Sequence, residues 1–182
     1  MHSRKKRAAT EILCPQNMRR KAEKGTDTSS AFPTVPLTMK TPAKTCMPTF
    51  STMQTTMYIT TPYLAIDSSL QNALCLAAKR GVDVRLITPG IPDKKMVYRL
   101  TRSYYASLIR AGVKIYEYTP GFVHAKSYVA DDKLGVVGTI NMDYRSLYLH
   151  FECGTLMYDS PAVIDLRNDD LATIEKCRKI EL

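Results

Sequence analysis

The sequence predicts an α/β domain with a mixed, largely parallel sheet flanked by helices, built from residues 58 to 182. Two observations carry this expectation. From Tyr58 onward, β-rich runs and helix-period runs follow one another as strand, helix, strand, helix, strand, the signature of βαβ units. The texture also changes abruptly at that point, because residues 1–57 sustain neither a helical nor a strand period and hold five of the ten prolines and six of the nine methionines.

Taken in order, MYITTPYL is a β-rich run closed by Pro62. Asp67 or Ser68 can cap a helix over SLQNALCLAAKR, with Leu70, Ala73, Leu74 and Ala77 on its apolar face and Gly81 placed to end it. VDVRLITP alternates as a strand with Val82, Val84 and Leu86 on one side, and Pro89-Gly90-Ile91-Pro92 turns the chain. A second helix is expected over Lys95 to Ala111, burying Val97, Leu100, Tyr104 and Leu108 and ending before Gly112. VKIYEYTP is then a strand, FVHAKSYVA another, and Leu134 to Val137 a third that leads into a turn over Gly138 to Asn141. Leu149 to Tyr158 reads as a strand and PAVIDLRNDDLATIEKCRKI as a terminal helix, with Asn168-Asp169-Asp170 as a place where it could break.

The net charge of +9 resides mostly in the N-terminal third, where 10 Lys or Arg stand against 3 Asp or Glu; residues 58–182 hold 16 against 14. The basicity is therefore no guide to what the folded part binds, and nucleic acid is not the expected partner. Residues 1–57 read as a basic tail without fixed structure. The genetic code supplies another reading: Lys44 to Tyr58 can be encoded so that the frame begun one nucleotide earlier reads ENVYANIFNYANDYVY, which has helical apolar spacing and runs into the strand at Tyr58. On that reading the tail is out-of-frame translation. No apolar run is long enough to span a bilayer and the basic N-terminus lacks a signal-peptide core, so the chain as given reads as soluble. The five cysteines are scattered and never in C-x-x-C spacing, so neither a disulfide framework nor a zinc site is expected; Cys75 and Cys153 read as small core residues.

The chemistry concentrates between Phe122 and Asn141, in the pattern H-x-K-x4-D-x6-G-x-x-N formed by His124, Lys126, Asp131, Gly138 and Asn141. In an extended segment His124 and Lys126 point to the same face, which puts an imidazole and an ammonium in one small space. The imidazole can act as nucleophile on phosphorus, and Lys126 can neutralise the non-bridging oxygens. Asn141 and the Thr139 hydroxyl can donate to developing charge, and Asp131 can orient the ring. Arg145, Ser146 and Glu152 extend the polar series. Alone, each of these residues is an ordinary strand, turn or surface group; the ordered combination makes a phosphate site. It needs no metal and no cofactor.

This pattern resembles the HKD motif of the phospholipase D superfamily, and the surrounding runs are similar to bacterial cardiolipin synthases: ITTPYL, GVDVRLITP, IPDK, SYYASLIRAGVKIYEYTPGFVHAK and VGTINMDYRSLYLHFE. The resemblance covers residues 58–182 and implies the second half of a two-motif enzyme. In that family two pseudo-symmetric halves each contribute a His, Lys and Asp to a shared site; one His forms a phosphatidyl-histidine and the other protonates the leaving group. Carried over, His124, Lys126 and Asp131 are the expected catalytic residues, with Thr139, Asn141, Ser146 and Glu152 supporting the phosphate.

The implied reaction moves a phosphatidyl group from one phosphatidylglycerol to another and releases glycerol at the cytoplasmic membrane. This chain departs from the pattern by lacking a first H-x-K, since His2 is followed by Ser3 and Arg4. It is therefore expected to be a C-terminal fragment, inactive until it meets the missing first half or a second copy of itself. Small single-motif nucleases of the superfamily complete their site by homodimerising, so a homodimeric phosphodiesterase is the alternative; a non-catalytic gene remnant is the third reading.

Overall fold

The computed structural model of the chain describes the backbone of residues 29–34 and all of residues 55–182. An eight-stranded mixed sheet is flanked by helices on both faces, as the α/β expectation requires. Its strands are β1 (Ser29–Thr34), β2 (Thr56–Thr60), β4 (Asp83–Pro89), β5 (Lys114–Tyr118), β6 (Ser127–Ala130), β7 (Leu134–Gly138), β9 (Glu152–Tyr158) and β10 (Cys177–Ile180), in the spatial order β1-β9-β7-β6-β2-β4-β5-β10. A short parallel pair, β3 (Leu64–Ala65) with β8 (Met142–Asp143), lies apart from it. The helices are α1 (Ser68–Lys79), α2 (Lys95–Ser103), α3 (Tyr105–Arg110), α4 (Tyr144–Tyr148) and α5 (Pro161–Ile174).

Parallel order is confined to β2-β4-β5 within this sheet, although the sequence pattern leads one to expect it to prevail. The reason is connectivity: these three neighbouring strands are joined in succession by helical crossovers, whereas β6 and β7 are joined by a tight turn and must run antiparallel. Asp131 and Asp132 form the centre of that turn at φ 52 and φ 57, a left-handed geometry that Asp tolerates and hairpins favour.

Successive strand residues serve opposite faces. Met57 and Ile59 enter the main core with α1 and α3, while Tyr58 enters a second cluster with Val129 and Val163 beneath α5. Each large side chain so buried contributes about 1.5–3 kcal/mol, which fixes the register of β2 between its neighbours. Helix α1 forms as expected: the Asp67 carboxylate accepts from the Leu70 N–H at 2.8 Å, and Leu70, Leu74 and Ala77 are buried. Gly81, at φ +95, turns the chain out of it.

Four local expectations are corrected. The single helix over Lys95 to Ala111 is two helices meeting at Tyr104, and Leu100, assigned to the buried stripe, is 46% exposed. The terminal helix runs unbroken through Asn168-Asp169-Asp170 but stops at Ile174, and Cys177–Ile180 instead pairs antiparallel with β5. Cys153 is exposed rather than in the core, while Cys75 is half-buried against it. Within the expected tail, Ser29–Thr34 forms an edge strand beside β9; the remainder of residues 1–54, including the region of the frame-shift reading, lies outside the described residues.

Candidate active site

Strands β2 and β7 end, and β6 and β9 begin, at the same edge of the sheet. A 530 Å³ cavity opens there, lined by His124, Lys126, Ser127, Thr139, Asn141 and, from α5, Asp169. Strand β6 begins only at Ser127, so His124 and Lys126 lie in the extended segment before it rather than within a long strand. The same-face expectation still holds. Lys126 Nζ lies 2.9 Å from His124 Nδ1, 3.1 Å from Nε2 and 2.8 Å from the His124 carbonyl oxygen. Near-equal distances to both ring nitrogens place the ammonium over the imidazole rather than along one lone pair.

Burial pushes the Lys126 pKa down from its ordinary value, against the opposing pull of the Glu152 and Asp143 carboxylates. The ammonium is thus held close to a ring and short of compensating charge, a setting that favours an incoming anion. The Phe122 and Tyr63 rings flank His124 with centroids 5.6 Å and 6.2 Å away, and they limit where the imidazole can turn.

The opposite wall is set by close backbone packing. A Cβ on Gly138 would stand 2.3 Å from the Cys153 carbonyl oxygen and 2.6 Å from Gly154 Cα, so only glycine lets β7 approach β9 at this point. Thr139 follows, its N–H donating to the Cys153 carbonyl at 2.9 Å and its hydroxyl donating to the Glu152 carboxylate. Tyr128 donates to the Ile140 carbonyl at 2.6 Å, and the Met142 N–H donates to Thr61 Oγ1 at 3.1 Å; together they pin the turn that presents Asn141. The Asp143 side chain caps α4 through the Ser146 N–H, and Asn141 Nδ2 donates to the buried Ser146 hydroxyl at 3.1 Å. Asn141 Oδ1 is buried with no hydrogen-bond partner among the described residues.

Of the residues singled out from sequence, His124, Lys126, Thr139 and Asn141 meet at the cavity, with Ser146 and Glu152 directly behind Asn141 and Thr139. Asp131 does not join them. It sits at the far end of β6, where its Oδ1 accepts from the Thr55 N–H at 2.8 Å and the Thr56 N–H at 3.0 Å. Its observed part is to tie the β6-β7 turn to the start of β2, a span of four strand residues from the cavity mouth.

Sequence reasoning passed over Asp169 and Asp170. Asp170 is 3% exposed and accepts from the Thr60 hydroxyl at 2.7 Å and, more weakly, from Ser127 at 3.4 Å, directly behind the cavity. The signal was present: Val163, Leu166, Asp170 and Ile174 follow helical spacing, so a carboxylate interrupts an apolar stripe. Among the described residues no group of His, Cys, Asp and Glu is placed to hold a metal ion, and no helix is long and apolar enough to cross a membrane.

The family model described as "Cardiolipin synthase, PLD-like domain" matches residues 48–170. Among curated relatives, an uncharacterised protein of Streptococcus mutans is 56% identical over 124 residues, which is 68% of this chain and 27% of that one. A cardiolipin synthase of Halalkalibacterium halodurans is 41% identical, covering 68% of this chain and 25% of the relative. The chain therefore spans about a quarter of the length of the curated relatives it matches. Among solved structures, the phospholipase D family member Nuc of Salmonella typhimurium aligns with a TM-score of 0.72 at 14% identity, covering 85% of this chain and 99% of that one. Phosphatidylserine synthase of Haemophilus influenzae aligns at 0.66 and 18% identity, over 84% of this chain and 39% of that one. The fold and the extent of the family match agree: the chain belongs to the family of cardiolipin synthase PLD-like domains of the phospholipase D superfamily.

Proposed function

We propose that the chain supplies one half of a phosphatidyltransferase site of the cardiolipin-synthase type, working through a phosphohistidine. The observation that carries this reading is the close placement of the His124 imidazole and the Lys126 ammonium at an open cavity whose other wall offers Thr139 and Asn141. In the first step the His124 ring nitrogen attacks the phosphorus of phosphatidylglycerol. The N–P bond forms as the P–O bond to glycerol breaks, and the glycerol alkoxide takes a proton from a second acid. In the second step that group removes a proton from the acceptor hydroxyl of another phosphatidylglycerol; the new P–O bond forms as the N–P bond breaks, giving cardiolipin.

Lys126 leaves the imidazole for the phosphoryl oxygens as the substrate arrives. Asn141, on the cavity wall, donates to the same oxygens through Nδ2, which Ser146 holds in place. Glu152 holds Thr139 in place and contributes negative potential at Lys126.

Among the described residues His124 is the only histidine on the cavity, so the second acid must come from a first-motif half or from a second copy of the chain. The near-complete coverage of Nuc by this chain favours the second copy as an alternative assembly, a single-motif homodimer with phosphodiesterase activity. Incubation of the purified chain with radiolabelled phosphatidylglycerol vesicles tests both readings, alone and after co-expression with a separately encoded first half. The half-site reading expects cardiolipin and a His124 phospho-adduct only in the co-expressed complex, both abolished by His124→Ala. Turnover by the chain alone with a dimer mass in light scattering would favour the homodimer. A complex that forms but makes neither product nor adduct would refute the proposed chemistry.

A further inference from the structure

Helix α2 is turned outward in a way that its part in the fold does not explain. Thr101 is its one fully buried residue, and Val97 and Tyr98 complete the packed side. The outward arc carries two stripes. Lys95, Arg99 and Arg102 lie along one, at helical spacing; Met96, 82% exposed, and Leu100, 46% exposed, lie along the other, one turn apart. The approach to the helix continues the pattern with Ile91, 50% exposed, and Lys94. From Ile91 to Ser103 there are four cations and one carboxylate, Asp93, whose charge is engaged by the Tyr63 hydroxyl at 2.5 Å.

This face adjoins the candidate active site. The Tyr63 ring contacts the His124 ring on one side and lies 5.8 Å below Lys94 Nζ on the other. A small hollow lined by Pro62, Pro92, Lys94 and Phe122 joins the two regions, and Phe122, itself 40% exposed, packs against His124. Apolar side chains ringed by cations, of low mean hydropathy but strongly two-sided, suit a surface that is anionic outside and apolar just beneath.

We propose that the Ile91–Ser103 face docks the domain on an anionic phospholipid surface, with Met96 and Leu100 entering the headgroup layer and Lys94, Lys95 and Arg99 meeting lipid phosphates. The docked orientation presents the His124 cavity to a headgroup at the same surface. The placement rests on the phospholipid reading of the site, but its test does not depend on turnover.

Co-sedimentation of the full-length chain with vesicles of phosphatidylcholine alone, or of phosphatidylcholine with phosphatidylglycerol at a mole fraction of ~0.3, measures the docking directly. Binding to the anionic vesicles alone is expected, weakening as salt rises. Each Lys or Arg near such a surface contributes about fivefold in partitioning, so K95E/R99E is expected to weaken binding by about 25-fold or more. M96S/L100S is expected to weaken it at constant charge, and unchanged thermal melts of both exposed-site variants exclude misfolding. His124→Ala is expected to bind as the parent does, so loss of chemistry and loss of docking are separable. Binding unaltered by both double substitutions would overturn the proposal and assign any attachment to residues 1–54. Unaltered vesicle binding with a changed mass in light scattering would overturn it in favour of a protein partner on the same face.

Discussion

Asp170 offers the sharpest test of the packing behind the site. Burial pushes its carboxyl up to about 6 from 3.8, opposed by the hydrogen bonds from Thr60 and Ser127 and reinforced by the neighbouring Asp169. Its Oδ2 has no hydrogen-bond partner among the described residues. The folded state therefore holds this proton across a window, from about pH 4 to about pH 6, in which the unfolded chain has released it. Because the native state binds more protons there, stability falls as pH rises through the window and is lower above it. The distance between the two ends of that window corresponds to about 3 kcal/mol.

Asp170→Asn keeps the acceptor for Thr60, removes the titration and leaves a buried amide N–H₂ unpaired at about 1–3 kcal/mol. The variant is thus expected to match or exceed the parent by up to about 2 kcal/mol above pH 7 and to be the less stable protein near pH 4. Urea denaturation of both proteins from pH 4 to pH 8 reads this as crossing stability curves. Parallel curves, differing by a constant at every pH, would refute the argument that the buried carboxyl titrates with folding.

Other substitutions separate roles by their readouts. Gly138→Ala forces a methyl against the Cys153 carbonyl and Gly154 Cα, so its urea midpoint is expected to fall by the equivalent of about 3 kcal/mol, with the site distorted. Asp131→Ala removes the acceptor of two N–H groups and is expected to cost about 1–3 kcal/mol, while turnover per folded molecule in a reconstituted two-half enzyme is retained; a complete loss of turnover in well-folded protein would return Asp131 to the chemistry. Glu117, fully buried in β5, accepts from Tyr98, Tyr105 and Arg178, and Glu117→Ala is expected to cost about 3–5 kcal/mol by thermal melt; replacement at no cost would show that the three partners rehydrate freely.

The helices and strands that the sequence announced were those whose local signals and tertiary packing agree. Asp67, Leu70, Leu74, Ala77 and Gly81 define α1 by cap, stripe and stop, and each does in the fold what its position implies. Strand direction was less legible, because parallel or antiparallel order depends on connections rather than on residue pattern; Asp131-Asp132 closes a hairpin that nothing in the apolar alternation distinguishes from a longer excursion. Cys177–Ile180 looked helical because it continues a helical stretch, yet its backbone completes the open edge of β5.

At the site, the spacing of His124 and Lys126 carried their contact even though the segment lies outside a regular strand, since any extended backbone repeats its side chains every two residues. What spacing could not carry was reach. Asp131 is five residues beyond Lys126, and the four residues between them are strand, so the motif's carboxylate is delivered to the opposite end of β6.

That same geometry explains why the cavity stands where it does. The sheet changes character at β2, which pairs parallel to β4 on one side and antiparallel to β6 on the other. At its C-terminal end the chain leaving β4 turns into α2, and the chain leaving β5 returns past the ends of β4 and β2 as the extended segment that carries His124 and Lys126 into β6. The cavity is the gap beside that segment, at the C-terminal end of the parallel strands, where open α/β sheets bind ligands. Here His124 and Lys126 enter the gap from the β6 side, Thr139 and Asn141 close its far wall, and Tyr63 stands between the gap and α2. One edge of one sheet can supply a nucleophile and the groups that hold an anion, but the acid for a leaving group must approach phosphorus from the side opposite the nucleophile. On the proposed chemistry, the demand for a second contributor therefore follows from in-line displacement as much as from the single H-x-K in the sequence.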